Sequence, residues 1–243
     1  MMIDIKNLKK SFGNKTVLKD IDLLVKDGEI FGFLGPNGAG KTTTIKMIVG
    51  LLIPDGGTIE VQGINVVDEP LEAKKRISYV PDNPDIYEQM TGIQYLNFLS
   101  DVYGVSVDER KSRIDKLAEL FSMSDDLRGF ISSYSHGMKQ KIVLIGALVT
   151  EPEVLILDEP MVGLDPKSAF TLKEIMREMA DKGRTVFFST HVMEVAEKLC
   201  DRIAIINKGE IIEVGTLEEI RDRLGDDGSL EKVFLELTGE LDA

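Results

Sequence analysis

Cysteine and long apolar runs are scarce in this sequence of 243 residues. The single cysteine, Cys200, excludes an intrachain disulfide and is consistent with a reducing compartment, and we interpret it as a small buried apolar residue. No run approaches the ~18 apolar residues of a membrane-spanning helix, and residues 1–6 lack the basic start and apolar middle of a secretory signal. We therefore expect a soluble chain. If it works at a membrane, another polypeptide must supply the membrane-spanning part.

Positive charge is also in deficit, since 29 Lys and Arg stand against 42 Asp and Glu, for a formal net charge of −13. Proteins that bind nucleic acid usually present a basic face, so the balance argues against a nucleic-acid partner. It does not exclude a nucleotide, because a phosphate-binding loop acts through its local backbone. The 43% apolar content is enough for the core of one large domain or two lobes.

A glycine-rich loop lies between an apolar run of strand length, residues 29–34, and a stretch with helical spacing, residues 45–52. It has two glycines, four spacers, Lys and Thr, a pattern whose backbone N–H groups cradle phosphate. Lys41 is predicted to reach the β- and γ-phosphates, and Thr42 to offer its hydroxyl to Mg²⁺. A glycine-rich turn without a ligand is the alternative. The predicted nucleotide-binding residues here are Gly35, Pro36, Asn37, Gly38, Ala39, Gly40, Lys41, Thr42 and Thr43.

Two later apolar segments end in polar residues. Residues 154–159 run from four apolar residues into Asp158 and Glu159, and residues 185–190 are followed by His191. Ligands of parallel sheets bind beyond the carboxyl ends of the strands. Asp158 is therefore predicted to hold Mg²⁺ through water, and Glu159 to act as a general base or water-orienting group. The alternative for Asp158 and Glu159 is that they only lead into a turn. The alternative for His191 is that it only begins a helix.

Other segments predict the elements around this loop. Alternating apolar residues indicate an antiparallel layer in residues 1–30 and 55–67, and a hairpin in residues 202–214. Residues 69–130 have a helical pattern, with a capping box at residues 91–94, a second helix that Asp108 can cap, and a loop or hinge between residues 79 and 85.

Two further segments each allow two interpretations, and a third marks the start of a helix. Phe12 is either a loop aromatic that covers the core or a platform for a base. Ser135 and Gly137 begin an apolar helix, which either displays N–H groups to an anion or is an ordinary serine-capped helix. Asp165 and Pro166 suit the cap and the first position of a further helix.

In this order the motifs resemble those of the ATP-binding subunits of ABC transporters, over nearly all of the chain. The resemblance implies an α/β fold: a P-loop NTPase core with a mostly parallel sheet, an antiparallel β layer and an inserted helical subdomain. The corresponding segments are the phosphate loop 35–42, the signature loop 134–138, the Walker B strand 154–159, the following loop 163–166 and the switch histidine His191.

The resemblance also implies one domain, residues 1–243, with internal divisions. Residues 229–238 look like the ending of single-domain subunits that pair with a separate exporter-type membrane protein. The divisions are the ATP-binding core at 1–82 and 151–215, the helical subdomain with the signature loop at 83–150, and a helical tail at 216–243.

Two copies facing head to tail, with two ATP molecules between them, follow from the resemblance. Ser135 and Gly137 of one copy would meet the γ-phosphate bound by the other, and Asp165 would link the two sites. Phe12 would stack on adenine, and His191 would sense the γ-phosphate. The implied catalytic residues are Glu159, His191 and Lys41, and the implied metal ligands are Thr42, Asp82 and Asp158.

Two positions depart from the family pattern. The signature, often Leu-Ser-Gly-Gly-Gln, here places His136 at a position of a small residue, and we assign it no catalytic role. The hinge loop usually carries Gln, and the matching residue is Asp82, whose carboxylate can still approach Mg²⁺ or its waters.

The resulting hypothesis is an ATPase subunit that drives transport, most consistent with export. It would sit on the cytoplasmic face of the membrane and work with a second copy or homologous subunit and separate transmembrane permease subunits. The alternatives are a non-transport ATPase of the same fold, which the acidic charge disfavours for nucleic-acid work, and a module that closes on ATP with little hydrolysis. Glu159 and His191 argue against the last.

Overall fold

The computed structural model describes residues 2–84, 86–224, 230–232 and 234. Strands and helices alternate along most of this part of the chain, and a short 3₁₀ turn spans Ile131–Ser133. The strands are β1 (Ile3–Phe12), β2 (Lys15–Val25), β3 (Ile30–Leu34), β4 (Gly56–Val61), β5 (Ile64–Asn65), β6 (Ile77–Val80), β7 (Val154–Asp158), β8 (Thr185–Thr190), β9 (Arg202–Asn207) and β10 (Glu210–Gly215). The helices are α1 (Lys41–Ile48), α2 (Pro70–Arg76), α3 (Gly92–Val102), α4 (Val107–Leu120), α5 (His136–Val149), α6 (Pro166–Asp181), α7 (Met193–Leu199) and α8 (Leu217–Leu224).

The central sheet has the strand order β10-β9-β3-β8-β7-β6, and its strands are parallel except for β10. Strands β3, β7 and β8 are buried along their whole length. In β7, Val154 and Ile156 belong to one core cluster, whereas Leu155 and Leu157 belong to another. Burial on both faces explains why these strands read as continuous apolar runs.

A second sheet, with the order β2-β1-β4-β5, is antiparallel and matches the predicted layer. Ile3, Ile5 and Ile59 point from it into the core cluster that contains Val154 and Ile156. The predicted hairpin of β9 and β10 is also present. The predicted α/β fold with parallel and antiparallel sheets is therefore confirmed.

Helices α3, α4 and α5 pack together beside the β6 edge of the parallel sheet. The capping box at the start of α3 is confirmed, since Gln94 N donates to Thr91 Oγ1 at 3.3 Å and Thr91 N donates to Gln94 Oε1 at 2.9 Å. The structure thus groups three helices inside residues 83–150, and the exact boundaries of that subdomain stay a prediction.

Three local expectations were wrong. Residues 69–130 are not helical throughout, because Ile77–Val80 form β6 at the sheet edge. Helix α4 is capped by Ser106, which accepts from Glu109 N, and not by Asp108. Helix α1 ends at Ile48, and the next residues turn back so that Leu51 is exposed.

Two described residues beyond α8 join a core cluster that contains Leu34 of β3. Leu230 and Phe234 join Met193, Ala196 and Ile220 in a third core cluster. Much of the predicted tail at 229–238 lies outside the described residues. Across the described ranges, the helices are each too short or too polar to cross a membrane.

Candidate active site

The glycine-rich loop joins β3 to α1 at the carboxyl edge of the parallel sheet. Gly40 precedes the helix with φ at 115°, a left-handed conformation, and no described side chain caps the helix start. A Cβ on Gly40 would lie 2.5 Å from Leu18 Cδ2, so the close packing of β2 requires glycine there. The first N–H groups of α1 and their partial positive charge are therefore available to an anion.

Lys41 is buried beneath this loop. Its Nζ donates to the Gly35 carbonyl at 2.7 Å and lies 3.4 Å from Glu159 Oε1. The ammonium thus sits between the loop backbone and the acid at the end of β7. This position allows it to move toward a phosphate group held by the loop.

Asp158 and Glu159 are fixed by a serine on the neighbouring strand. Ser189 Oγ donates to Asp158 Oδ1 at 2.6 Å and accepts from Glu159 N at 3.0 Å. The sequence analysis did not identify Ser189, although a polar residue near the carboxyl end of a buried strand beside β7 is a usable signal. One hydroxyl therefore holds the carboxylate of Asp158 and the backbone of Glu159.

The second carboxylate oxygen of Asp158 is suited to a cation. It is buried and has no hydrogen-bond partner among the described residues. Within those residues, three or more His, Cys, Asp or Glu side chains do not gather into a metal site. Mg²⁺ commonly needs only one or two protein carboxylates, because waters and substrate phosphates complete its shell. The residues present fit that requirement.

His191 contacts the other side of Glu159. Its Nδ1 lies 2.9 Å from Glu159 Oε2, while the ring itself remains half-exposed. An ionised carboxylate can only accept a hydrogen bond, so the proton of this contact lies on Nδ1 when Glu159 is ionised. Glu159 also has a positive φ of 48°, so its backbone is held in a conformation that non-glycine residues rarely adopt.

Asp82 faces the same acids from the loop after β6. Burial raises the pKa of its carboxyl, and the negative charges of Asp158 and Glu159 raise it further. His136 and His191 act in the opposite direction when they are protonated. Negative charge therefore accumulates at this edge of the sheet.

One cavity of about 340 Å³ brings the phosphate loop together with Lys41, Asp82 and Glu159, whereas Asp158 and His191 are not part of its lining. Lys15 and Val17 of β2 also line it, and the sequence analysis missed them because the register of β2 against the loop cannot be read from periodicity. Its lining residues are Lys15, Val17, Pro36, Asn37, Gly38, Gly40, Lys41, Thr42, Thr43, Asp82 and Glu159.

Other predicted residues lie outside this cavity. Ser135 caps α5, where its Oγ accepts from Met138 N at 3.3 Å, and Gly137 packs against the Gly163 carbonyl. Asp165 caps α6 through Ser168, and its carboxylate is 2.6 Å from Lys141 Nζ. The hydrogen bond from Lys141 is the main cause that lowers the pKa of Asp165.

Phe12 also lies outside the lining of the cavity, at the end of β1 just before the turn to β2. Its side chain is 50% exposed, so it does not cover the core. It pairs with Lys15, which does line the cavity. The interpretation of Phe12 as a platform for a base therefore stays a prediction.

Comparison with known proteins identifies close relatives. A family model described as "ABC transporter" matches residues 18–162. The linearmycin resistance ATP-binding protein LnrL of Bacillus subtilis is 42% identical over 226 residues, which cover 93% of this chain and 73% of the relative. The Nod factor export ATP-binding protein I of Burkholderia orbicola is 38% identical over 213 residues, or 88% of this chain and 70% of the relative.

Solved structures show the same architecture. An ATP-binding subunit of an ABC transporter superposes with a TM-score of 0.94 at 36% identity, covering 98% of this chain and 100% of that chain. A dimeric ATP-binding cassette bound to ADP and phosphate gives a TM-score of 0.81 at 24% identity, covering 89% and 99%. The second likeness concerns the fold alone.

Proposed function

This chain belongs to the ABC transporter family of ATP-binding proteins, which are ATPases, and we propose that it powers export by closing on ATP as a head-to-tail dimer. The cavity that joins the phosphate loop to Lys41 and Glu159 carries this proposal. It offers an anion site, a buried ammonium group and a carboxylate within one small volume. ATP hydrolysis requires these three features side by side.

The residues divide the chemistry between them. The N–H groups at the start of α1 would bind the phosphates, and Lys41 would exchange its contacts with Gly35 and Glu159 for phosphate oxygens. Glu159 would then accept a proton from the attacking water, with His191 holding its carboxylate.

A divalent cation would complete the site. Mg²⁺ neutralises developing charge on the phosphate oxygens when it is bound. Thr42, Asp82 and Asp158 are the residues that would hold it, and the buried unpaired oxygen of Asp158 supports this assignment.

A second copy would supply the remaining contacts. Ser135, Gly137 and Asp165 lie away from the cavity of their own chain, so they are available to a partner. Lys141 joins Asp165 to α5, whose first turn follows Ser135. The signature loop and the loop before α6 would therefore approach the partner's phosphate loop as one unit.

The transport role is supported by the relatives, whose names refer to linearmycin resistance and Nod factor export. We propose that this chain likewise works at the cytoplasmic face of a membrane with separate permease subunits. The transported compound is set by those subunits.

Co-purification tests the transport role. The tagged chain would be expressed in its native cells, extracted in mild detergent and isolated with its partners. We expect a stoichiometric protein with several membrane spans, retained at more than one detergent concentration. Recovery of soluble partners alone would instead favour the non-transport ATPase.

A further inference from the structure

Lys10 lies over the Phe12 ring. Its Nζ is 5.5 Å from the ring centroid, within the range of a cation–π interaction. The lysine side chain is only 12% exposed, whereas the phenylalanine side chain is half-exposed. The cation is therefore largely covered while the aromatic ring remains open to solvent.

The Lys10 ammonium is held by two further contacts. It donates to the Ile53 carbonyl at 2.8 Å and to Asp55 Oδ1 at 2.7 Å. The other carboxylate oxygen of Asp55 accepts from Ser11 N at 2.7 Å, so one acid binds both the ammonium and the backbone beside Phe12. These contacts fix the charge and the strand on which the ring is mounted.

The ring lies beside the nucleotide cavity. Phe12 pairs with Lys15 across the turn between β1 and β2, and Lys15 lines the cavity below the phosphate loop. The strand end that carries Phe12 therefore adjoins the cavity that the phosphate loop lines. The Lys10 cation lies over the ring, and half of the Phe12 side chain remains exposed.

We propose that Lys10, held by Asp55, is a positioning residue that fixes and polarises Phe12 for stacking on the nucleotide base. The inference rests on the proposed function and on the prediction that Phe12 stacks on the base of the bound nucleotide. An aromatic face carries partial negative charge, which repels the π electrons of a stacked purine. A cation over one face withdraws that electron density and so strengthens stacking on the other.

Two ligands separate this role from a general effect on the site. ATP engages both the ring and the phosphate loop, whereas inorganic tripolyphosphate engages the loop alone. By titration calorimetry, Lys10→Met should weaken ATP binding by about 3- to 10-fold and leave tripolyphosphate binding unchanged. Lys10→Arg should retain most of the ATP affinity, because the cation is kept.

A matched control and a double-mutant cycle complete the test. Lys6→Met removes another lysine of β1 that pairs with an acid, Asp4, and should leave both affinities unchanged. In a Phe12→Leu background, Lys10→Met should have no further effect on ATP binding. Asp55→Asn, which keeps the lysine and its contact with the Ile53 carbonyl but removes the negative charge beside it, should weaken ATP binding less than Lys10→Met does.

The outcomes distinguish two kinds of failure. Wild-type protein that binds neither ATP nor tripolyphosphate would reject the proposed function. Wild-type protein that binds ATP, together with a Lys10→Met variant of equal affinity, would reject the role of Lys10 alone. Equal losses for ATP and tripolyphosphate, or equal losses with and without Phe12, would also overturn it.

Discussion

At the scale of single residues, the site concentrates three carboxylates at one edge of the sheet. Asp158 and Glu159 are adjacent in the chain, and Asp82 faces them from the next loop. Lys41 and His191 contact Glu159 on two sides. The negative charge of Asp82 is therefore offset less than that of Glu159. This edge of the sheet therefore carries an excess of negative charge that a bound cation would relieve.

Asp82→Asn should stabilise the protein at neutral pH in the absence of nucleotide and metal. The folded state raises the pKa of Asp82, so the folded chain retains that proton to higher pH than the unfolded chain. Ionising Asp82 thus lowers the free energy of unfolding as pH rises through the raised pKa. We expect a higher Tm for the variant at pH 7.5 and a smaller difference near pH 4.

Asp68→Asn is the control for this comparison, because Asp68 is an exposed acid in the loop before α2. It should show no such pH-dependent gain. A variant at Asp82 that is less stable than wild type at pH 7.5, or a gain that does not change with pH, would contradict the electrostatic explanation.

The sequence predicted some of these residues and missed others for physical reasons. Asp158, Glu159 and His191 follow apolar runs, so their place at the carboxyl edge follows from the parallel sheet. Ser189 lies within such a run, and its contact with Asp158 depends on the register of β7 and β8. Long-range register of this kind is not encoded in local periodicity.

At the scale of secondary-structure elements, the turn between β9 and β10 supports the phosphate loop. Gly209 N donates to the Ala39 carbonyl at 3.0 Å, and its own carbonyl accepts from Lys19 N at 2.8 Å. The turn therefore connects the parallel sheet, strand β2 and the loop. The φ of Gly209 is 81°, and its backbone closely approaches Val17. Both features require glycine at this position.

Gly209→Ala should destabilise the fold and weaken ATP binding. A Cβ there would lie 2.2 Å from the Val17 carbonyl oxygen, in addition to the cost of a positive φ. We expect a loss of roughly 2–4 kcal/mol in the free energy of unfolding, measured by urea denaturation. ATP affinity should fall as well, because the loop loses its support.

Gly63→Ala is a suitable comparison, since Gly63 has a similar φ of 74° in the turn between β4 and β5 but open space around its Cβ position. It should cost about 1 kcal/mol from backbone strain alone and leave ATP affinity unchanged. Equal effects of the two substitutions would show that the contacts of Gly209 do not matter.

The predictability of elements depended on their length and burial. The buried strands β3, β7 and β8 and the phosphate loop follow from apolar runs and glycine spacing. Strand β6 has four residues, follows α2 without a turn and lies at an edge where Tyr79 is only partly buried. Asp108 was the predicted cap of α4, and the hydrogen bond from Glu109 N shows that Ser106 caps it instead.

At the scale of the whole molecule, the predicted functional residues form two groups. One group lines the cavity with Lys41 and Glu159, and the other lies at the starts of α5 and α6 with Ser135 and Asp165. A head-to-tail dimer would join the first group of one copy to the second group of the other. ATP would then be the component that holds the two copies together.

Sedimentation velocity of the Glu159→Gln variant tests this account most directly. The substitution keeps the shape of the side chain but removes the base, so hydrolysis should slow by about 10²–10⁴-fold. ATP should therefore persist between the copies. Glu153→Gln, the same substitution at an exposed position before β7, is the matched control and should hydrolyse ATP at the wild-type rate.

If ATP holds two copies together, Glu159→Gln should sediment as a monomer without nucleotide and as a dimer with saturating ATP and Mg²⁺. Wild-type protein and Glu153→Gln should return to monomers as ATP is consumed. A Glu159→Gln variant that remains monomeric at saturating ATP, or that hydrolyses ATP at the wild-type rate, would contradict it.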